Sequence, residues 1–484
     1  MTGQAGLPTI AGGQITRREV LKRGLMGAAG LTLLPVVVAA CQSGTPTPTP
    51  SSATTPVPTP MPNDFLARKL SGSLAVGTNY RDAADLGVKA VAKAFTAATG
   101  IVPEMFDLDL ASGMGFEPNN YLAYEPNDVF PWFSGFRMRF FADRKLVAPI
   151  DDVWALVSDN FAAGFARSVT GNDGKVYGIP VDFYPWCMFY RPSVWAAKGY
   201  AVPTTWTELI ALCQKMQKDG LTPIAFSDKD GWPAMGTFDI LNLRLNGYDF
   251  HLGLMTGQEK WTDPRVTSVF KKWAELVPFY THGYAGLTWQ QACDTLAHKT
   301  TGMYFLGLFI AGEVATVDTF PSPDMSVQLA VNPTRVTDLD FFTFPFMGNE
   351  FDSEKALDAP VDIWMMPAKS PTLTADLDNA RAFLEFWARG STQLLMYGAD
   401  SGYIPTASDV DMSQLDVLSR KAVSIVGQAQ RIAQFMDRDT RPDFAGANAM
   451  QSFLLRFLGA PGQDLAALQK TIQAFWDALP EYKG

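Results

Sequence analysis

Two short apolar runs, residues 176–181 and 186–190, flank Asp182, Tyr184 and Pro185. Their length and their β-branched and aromatic content predict strands. Pro185 biases Tyr184 to extended backbone and has no amide to continue a ladder, so pairing should break there and the chain should change sheets. Upstream, an apolar run at 74–76 precedes a helix in which Asp85 is placed to cap and Val88, Val91, Ala92 and Phe95 share one face. Gly100 ends that helix and residues 101–106 supply the next strand. Strand, helix, strand is the unit of a parallel sheet. Residues 128–130 predict a third strand, followed by Trp132 and a helix over 136–144.

The same alternation returns beyond the elbow. Thr205 and Glu208 form a capping box ahead of a buried stripe of Leu209, Leu212, Cys213 and Met216. Residues 222–226 predict a strand that runs into a loop at 227–236. Asp263 with Pro264 at the first helical position opens a helix through Val266, Val269, Phe270, Trp273 and Val277. Thr288 with Gln291 opens another, and 303–306 is strand-like. The apolar run 361–366 predicts a buried strand, and helices are predicted over 376–389, 415–437, 445–458 and 465–479. The chain therefore reads as an α/β protein, and its length of 484 residues is enough for two or three domains.

Charge removes one class of partner. Lys and Arg total 39 against 49 Asp and Glu, and residues 1–40 hold four of the former and one of the latter, leaving 35 against 48, a net −13. So acidic a body is repelled by phosphate backbones, and there is no basic patch, so no nucleic-acid partner is expected. The cysteines Cys41, Cys187, Cys213 and Cys293 match no zinc or redox spacing. Buried free thiols are the preferred reading of the last three, with one disulfide left open.

The N-terminus has its own logic. Residues 16–41, TRREVLKRGLMGAAGLTLLPVVVAAC, place Arg17 and Arg18 before an uncharged stretch that is short for a membrane span and carries Pro35. The arginine pair resembles a twin-arginine export signal and Val38-Ala39-Ala40-Cys41 resembles a lipobox, which implies cleavage before Cys41 and its acylation. Residues 45–62 alternate Thr, Pro and Ser without one charge or aromatic. Such a segment favours extended backbone and makes a tether of roughly 50 Å.

No catalytic motif is present: there is no G-x-S-x-G elbow, H-E-x-x-H, Walker loop or dinucleotide fingerprint, and His251, His282 and His298 are scattered. Neither a cofactor nor a metal is expected. Asp107 with Asp109, or Asp437 with Asp439, could be nominated as a glycosidase pair, although such acids commonly cap helices or solvate loops. What stands out is aromatic residues in predicted loops and at the ends of predicted strands: Trp132, Tyr184, Trp186, Trp232, Phe309 and Trp364. Pyranose CH faces stack on such rings while their hydroxyls need Asp, Arg and Asn. Arg137 lies near Trp132, Asp230 near Trp232, and Asp362 near Trp364, which points to a carbohydrate cleft at strand ends.

From about Gly72 onward the chain resembles the extracellular solute-binding proteins of carbohydrate ABC importers, the group that includes maltose-binding protein. The resemblance rests on DVFPWFSGFRMRFFADRKLVAPIDDVW, DGKVYGIPVDFYPWCMFYRPSVW, PTTWTELIALCQKMQKDGLTPIAF and GMYFLGLF. It implies two α/β lobes of the periplasmic-binding-protein type, joined by hinge crossovers with the ligand between them. The expected division is a signal peptide at 1–40, a lipidated tether at 41–71, one lobe at 72–183 plus 365–406, and the other at 184–364 plus 407–484. The resemblance further implies Trp132, Tyr184 and Phe309 as sugar contacts, with Trp186, Trp232, Asp362 and Trp364 in cleft-lining segments; 317–336 is an added loop. The expectation is a monomeric, non-enzymatic, lipid-anchored receptor that delivers a mono- or oligosaccharide to the permease subunits outside the cytoplasmic membrane. The alternatives are a secreted glycosidase or lyase and a surface carbohydrate-binding module.

Overall fold

A computed structural model describes residues 64–80, 82–108, 122, 126–319, 338–369, 373–399 and 402–480. Apart from Thr319 they belong to one unit, Pro60–Asp318 with Pro333–Gly484. The export signal, Cys41, the tether as far as residue 63 and most of 317–336 lie outside the described residues.

β1 (Leu74–Thr78) and β2 (Pro103–Asp107) run parallel, with Leu74 opposite Pro103. The helix Asp82–Thr99 between them buries Val88, Val91 and Phe95. Asp85 does not cap this helix. It lies inside it and ion-pairs Lys89 at 2.5 Å, because Ala83 and Ala84 are strong helix formers and carry the helix further upstream. β3 (Phe130–Phe133) follows, and a parallel bridge between Val76 and Val129 ties its approach to β1.

β4 (Ile179–Phe183) and β5 (Trp186–Tyr190) are the two runs at the elbow, and they enter different sheets. β6 (Thr222–Ala225), β7 (Thr301–Gly307) and β8 (Asp340–Phe342) join β5 in the order β6-β7-β5-β8, with β6 parallel to β7 and β5 antiparallel to both its neighbours. β9 (Leu357–Asp358) leads to β10 (Val361–Met365), which returns to the other sheet. With β11 (Ile404–Pro405) the order there is β11-β4-β10-β3. The boundary expected after Trp364 thus falls one residue inside a strand of the first sheet. The Tyr184 amide donates to the Pro360 carbonyl at 3.3 Å, so the first two passages between sheets are tied together.

The helix expected over 415–437 breaks into pieces. Asp416 caps a helix Val417–Gln428, and the chain then extends as β12 (Ile432–Ala433), parallel to β9, before a single turn at Met436–Asp439. Pairing with β9 supplies backbone partners that override helical propensity here. The capping boxes at Thr205 and Thr288 and the Asp263-Pro264 start are present as expected. Cys187, Cys213 and Cys293 are free and buried, and burial pushes the Cys213 thiol up to about 12.

Trp364 belongs to the core of the first sheet's lobe and not to a cleft. It is fully buried, stacks on Trp387 at 5.3 Å and 27°, and receives the edge of Phe383 at 5.7 Å. Filling this space with an indole leaves no route for collapse once it is removed. Trp364→Ala is expected to lower the unfolding free energy by about 3–5 kcal/mol, measured by urea denaturation; a loss below about 1 kcal/mol would take Trp364 out of the core.

Candidate functional site

Antiparallel register decides what faces the passage between the sheets. Asp362 on β10 stands opposite Asp182 on β4 and Phe133 on β3, while Ile363 stands opposite Trp132. By register Phe133 is paired with Asp362 and Trp132 with Ile363, but the two rings lie 4.9 Å apart and share the Arg137 guanidinium, at 4.8 Å from Trp132 and 4.9 Å from Phe133. Trp132 is buried, with its ring 5.8 Å from Phe141 of the helix Phe136–Asp143. The half-buried Phe133 adds a second first-lobe ring beside it.

Two buried carboxylates across adjacent strands repel one another unless a cation compensates. Arg438 supplies it. Its Nη1 lies 3.0 Å from Asp362 Oδ1, its Nη2 donates to the Tyr184 hydroxyl at 2.5 Å, and the guanidinium sits 4.1 Å over the Phe133 ring. The Tyr184 hydroxyl in turn donates to Asp362 at 3.3 Å, and that of Tyr80 donates to Asp182 at 3.4 Å. Burial alone would lower the Arg438 pKa, but Tyr184, Asp362 and Asp437 more than reverse this and keep it cationic. Burial also raises both tyrosine hydroxyls well above the ordinary range, so each remains a donor. Tyr403 meets both rings edge-on, at 5.8 Å and 5.9 Å.

Arg438 is carried by the turn Met436–Asp439, and its neighbours bind the first lobe too. Arg137 Nη1 pairs with Asp437 Oδ2 at 2.8 Å while lying 4.8 Å over Trp132, and Ser134 Oγ donates to Gln434 Oε1 at 3.1 Å. Gly135, at φ 72°, lets this turn approach: a β-carbon there would sit 3.1 Å from the Arg438 carbonyl oxygen.

The facing wall is aromatic. Tyr184 meets the edge of Phe309 at 5.2 Å, and Trp289 and Trp232 surround Phe309 at 5.1 Å and 6.2 Å. Phe309 and Trp232 are half-buried and so keep accessible surface. Trp186 does not. One face stacks on Phe435 at 4.9 Å and 20°, and a β-carbon at Gly236 would come within 2.3 Å of its ring. Asp230 is exposed in the loop before Trp232.

The structure thus brings together Trp132, Arg137, Tyr184, Trp232, Phe309 and Asp362, packs Trp186 behind the wall, and leaves Trp364 and Asp230 aside. Sequence reasoning missed Phe133, Tyr403, Phe435 and Arg438. The available signal was the charged triplet Asp437-Arg438-Asp439 at the end of a helix predicted to stop at 437. As for the nominated acid pair, Asp437 is committed to Arg137, and Asp439 accepts from the Gln434 amide at 2.7 Å. Among the described residues no group of three or more His, Cys, Asp or Glu could hold a metal ion.

The sequence model of the family described as bacterial extracellular solute-binding protein matches residues 125–418. The solved structure of the bacterial solute receptor AcbH, which exclusively prefers β-D-galactopyranose, is 35% identical, with a TM-score of 0.74, over 84% of this chain and 98% of that one. The alpha-glucosides-binding periplasmic protein AglE of Rhizobium meliloti is 24% identical over 70% of this chain and 73% of its own length. An uncharacterized ABC transporter extracellular-binding protein of Pyrococcus horikoshii is 22% identical over 66% of this chain and 76% of its own length.

One ionisable group beside the aromatic wall makes stability depend on pH. Asp228 is buried, accepts from the Ala234 amide at 3.1 Å, and leaves Oδ2 without a hydrogen-bond partner; burial raises it to about 7. Burial likewise raises Glu385 to about 7. Their unfolded values are near 4, so the native state binds more protons between those limits and stability falls as pH rises from about 4 to about 7. The melting temperature should be higher at pH 5 than at pH 8, and Asp228→Asn should narrow that difference; an unchanged difference would contradict the assignment.

Proposed function

We propose, from the premise that the chain belongs to the family of bacterial extracellular solute-binding proteins, that it is the substrate-binding component of a carbohydrate ABC importer and captures a single neutral pyranose. The observation that carries this reading is the Tyr184–Asp362–Arg438 network, walled by Phe309 and Trp232. A guanidinium fork, a carboxylate and a phenol meet sugar hydroxyls as donors and acceptors, and accessible rings meet the CH face. The crowding of Tyr80, Tyr184 and Tyr403 around the carboxylates supports a small ligand over an extended chain. The preference of AcbH for β-D-galactopyranose supports it as well.

Capture is a population shift: ligand contacts on both lobes favour the conformation in which they approach, and the permease reads the closed surface. The receptor works as a monomer, and capture without turnover is supported by the engagement of Asp437 and Asp439 by Arg137 and the Gln434 amide. Export by the twin-arginine signal and acylation of Cys41 place it outside the cell, with the Thr/Pro tether holding the body clear of the membrane.

Isothermal calorimetry with D-galactose, D-glucose and D-xylose against di- and trisaccharides tests the reading. A monosaccharide should bind at least about tenfold more tightly than any trisaccharide. Arg438→Gln should weaken it by about 10- to 100-fold, the equivalent of a lost hydrogen bond to a charged group. Tighter binding of the longer sugars, release of reducing ends, or an unaltered affinity in Arg438→Gln would overturn it.

A further inference from the structure

Phe435 adopts φ 86° and ψ 144°. Of the described residues other than glycine, Lys145, Lys299 and Lys355 also have positive φ. Lys355, at φ 46° and ψ 35°, lies in the left-handed helical region, where side chains are tolerated. Phe435 borders the extended positive-φ region that is essentially reserved for glycine, where a bulky side chain is strained. Such a backbone persists only where its surroundings over-determine it.

The surroundings do so from four directions. The ring stacks on Trp186 at 4.9 Å and takes the edge of Trp232 at 6.5 Å. The next amide, Met436, donates to Oδ2 of the fully buried Asp239 at 2.6 Å, and Asp239 lies on the helix Pro233–Thr256. The preceding amide, Gln434, donates to Asp439 at 2.7 Å, and Thr440 Oγ1 donates to the Met255 carbonyl at 2.7 Å. The ring contacts of Phe435 and the hydrogen bonds that hold the turn's backbone belong to the second lobe or to the turn itself. What the turn projects, Asp437 and Arg438, meets Arg137, Asp362 and Tyr184.

We propose that Phe435 and Asp239 are positioning residues for sugar capture. The strained turn fixes the Arg438 arm on the second lobe, and the Trp186–Phe435 stack joins the orientation of that arm to the aromatic wall formed by Trp232 and Phe309. Neither residue contacts the sugar; both act through Arg438. This rests on the binding role proposed above and adds the means by which a ring wall and a charged arm on one lobe move as a unit against the other.

The test is a double-mutant cycle between Phe435→Gly and Arg438→Gln, run first by denaturation without ligand and then by calorimetry with D-galactose. Glycine suits the backbone and removes the ring, so the arm is released while the fold is retained. Arg438→Gln should shift the wild-type folding equilibrium at least fivefold more than it shifts that of Phe435→Gly. In the sugar arm Phe435→Gly should bind at least about tenfold more weakly, Phe435→Tyr, which keeps the stacked ring, within threefold of wild type, and Asp239→Ala should behave like Phe435→Gly. Should Phe435→Gly fail to fold, the same cycle with Asp239→Ala decides. Additive effects in the ligand-free cycle would overturn the proposal. Failure of the wild type to bind any sugar, with the ligand-free coupling present, would instead overturn the functional reading and leave the arm's positioning supported.

Discussion

Asp182 and Asp362 face each other across β4 and β10, nearly buried, and among the described residues the cation that meets Asp362 is the guanidinium of Arg438. Much of the site follows from this requirement. A buried pair of carboxylates without a cation would protonate or force the strands apart. With the cation present, Asp362 accepts from Tyr184 and Arg438 together, and Tyr184 is held in a fixed pose at the passage between the sheets. Buried pairs of this kind add little net stability but specify geometry, because a misplaced partner leaves a bare charge. Arg438 therefore has to arrive from one direction, and the turn that carries it is built accordingly.

That construction explains features that look unrelated along the chain. Gly135 is small so that the Arg438 backbone can approach, Gly236 so that Trp186 can lie against its helix, and the parallel pairing of β12 with β9 ends the preceding helix in time for the turn. The passages at Tyr184 and Pro360 are hydrogen-bonded to each other, so β5 and β10 leave the same point in opposite directions. A rotation at that point changes the distance from Arg438 to Asp362 more than it changes anything inside either sheet.

The elements themselves were legible. Pro185 between two apolar runs announces a change of sheet, and Thr205 with Glu208 announces a helix start, because each depends on residues within one turn or one strand of each other. The site was legible in part. Tyr184 and Asp362 flank the passages and could be placed there. Trp364 could not be told from a cleft residue, since an apolar strand position looks the same whether its neighbour is solvent or Trp387. Phe133 was missed beside Trp132 because only pairing with β10 brings it opposite Asp362. Arg438 was hidden because its partners are a strand 76 residues earlier and a tyrosine 254 residues earlier. The triplet Asp437-Arg438-Asp439 straddles the end of the helix predicted over 415–437, and its acids read locally as ones that cap a helix or solvate a loop.

A network already satisfied among its own members sets terms for any ligand under the proposed function. Sugar hydroxyls can enter only by exchanging with hydrogen bonds that exist, such as those from Tyr184 to Asp362 and from Arg438 to Tyr184, so each polar contact yields the small difference between two good bonds. Discrimination is sharper than affinity under such terms, because a hydroxyl of the wrong configuration breaks one of these bonds without replacing it, and an unpaired group in this setting costs about 1–3 kcal/mol. The favourable balance has to come from surface that holds no internal partner to exchange, and that is the exposed part of Phe309 and Trp232. The wall therefore supplies the net gain on binding, while the charged base sets the selectivity and makes truncation of Arg438 costly because its partners are left unpaired. In the proposed arrangement the Trp186–Phe435 stack joins the two.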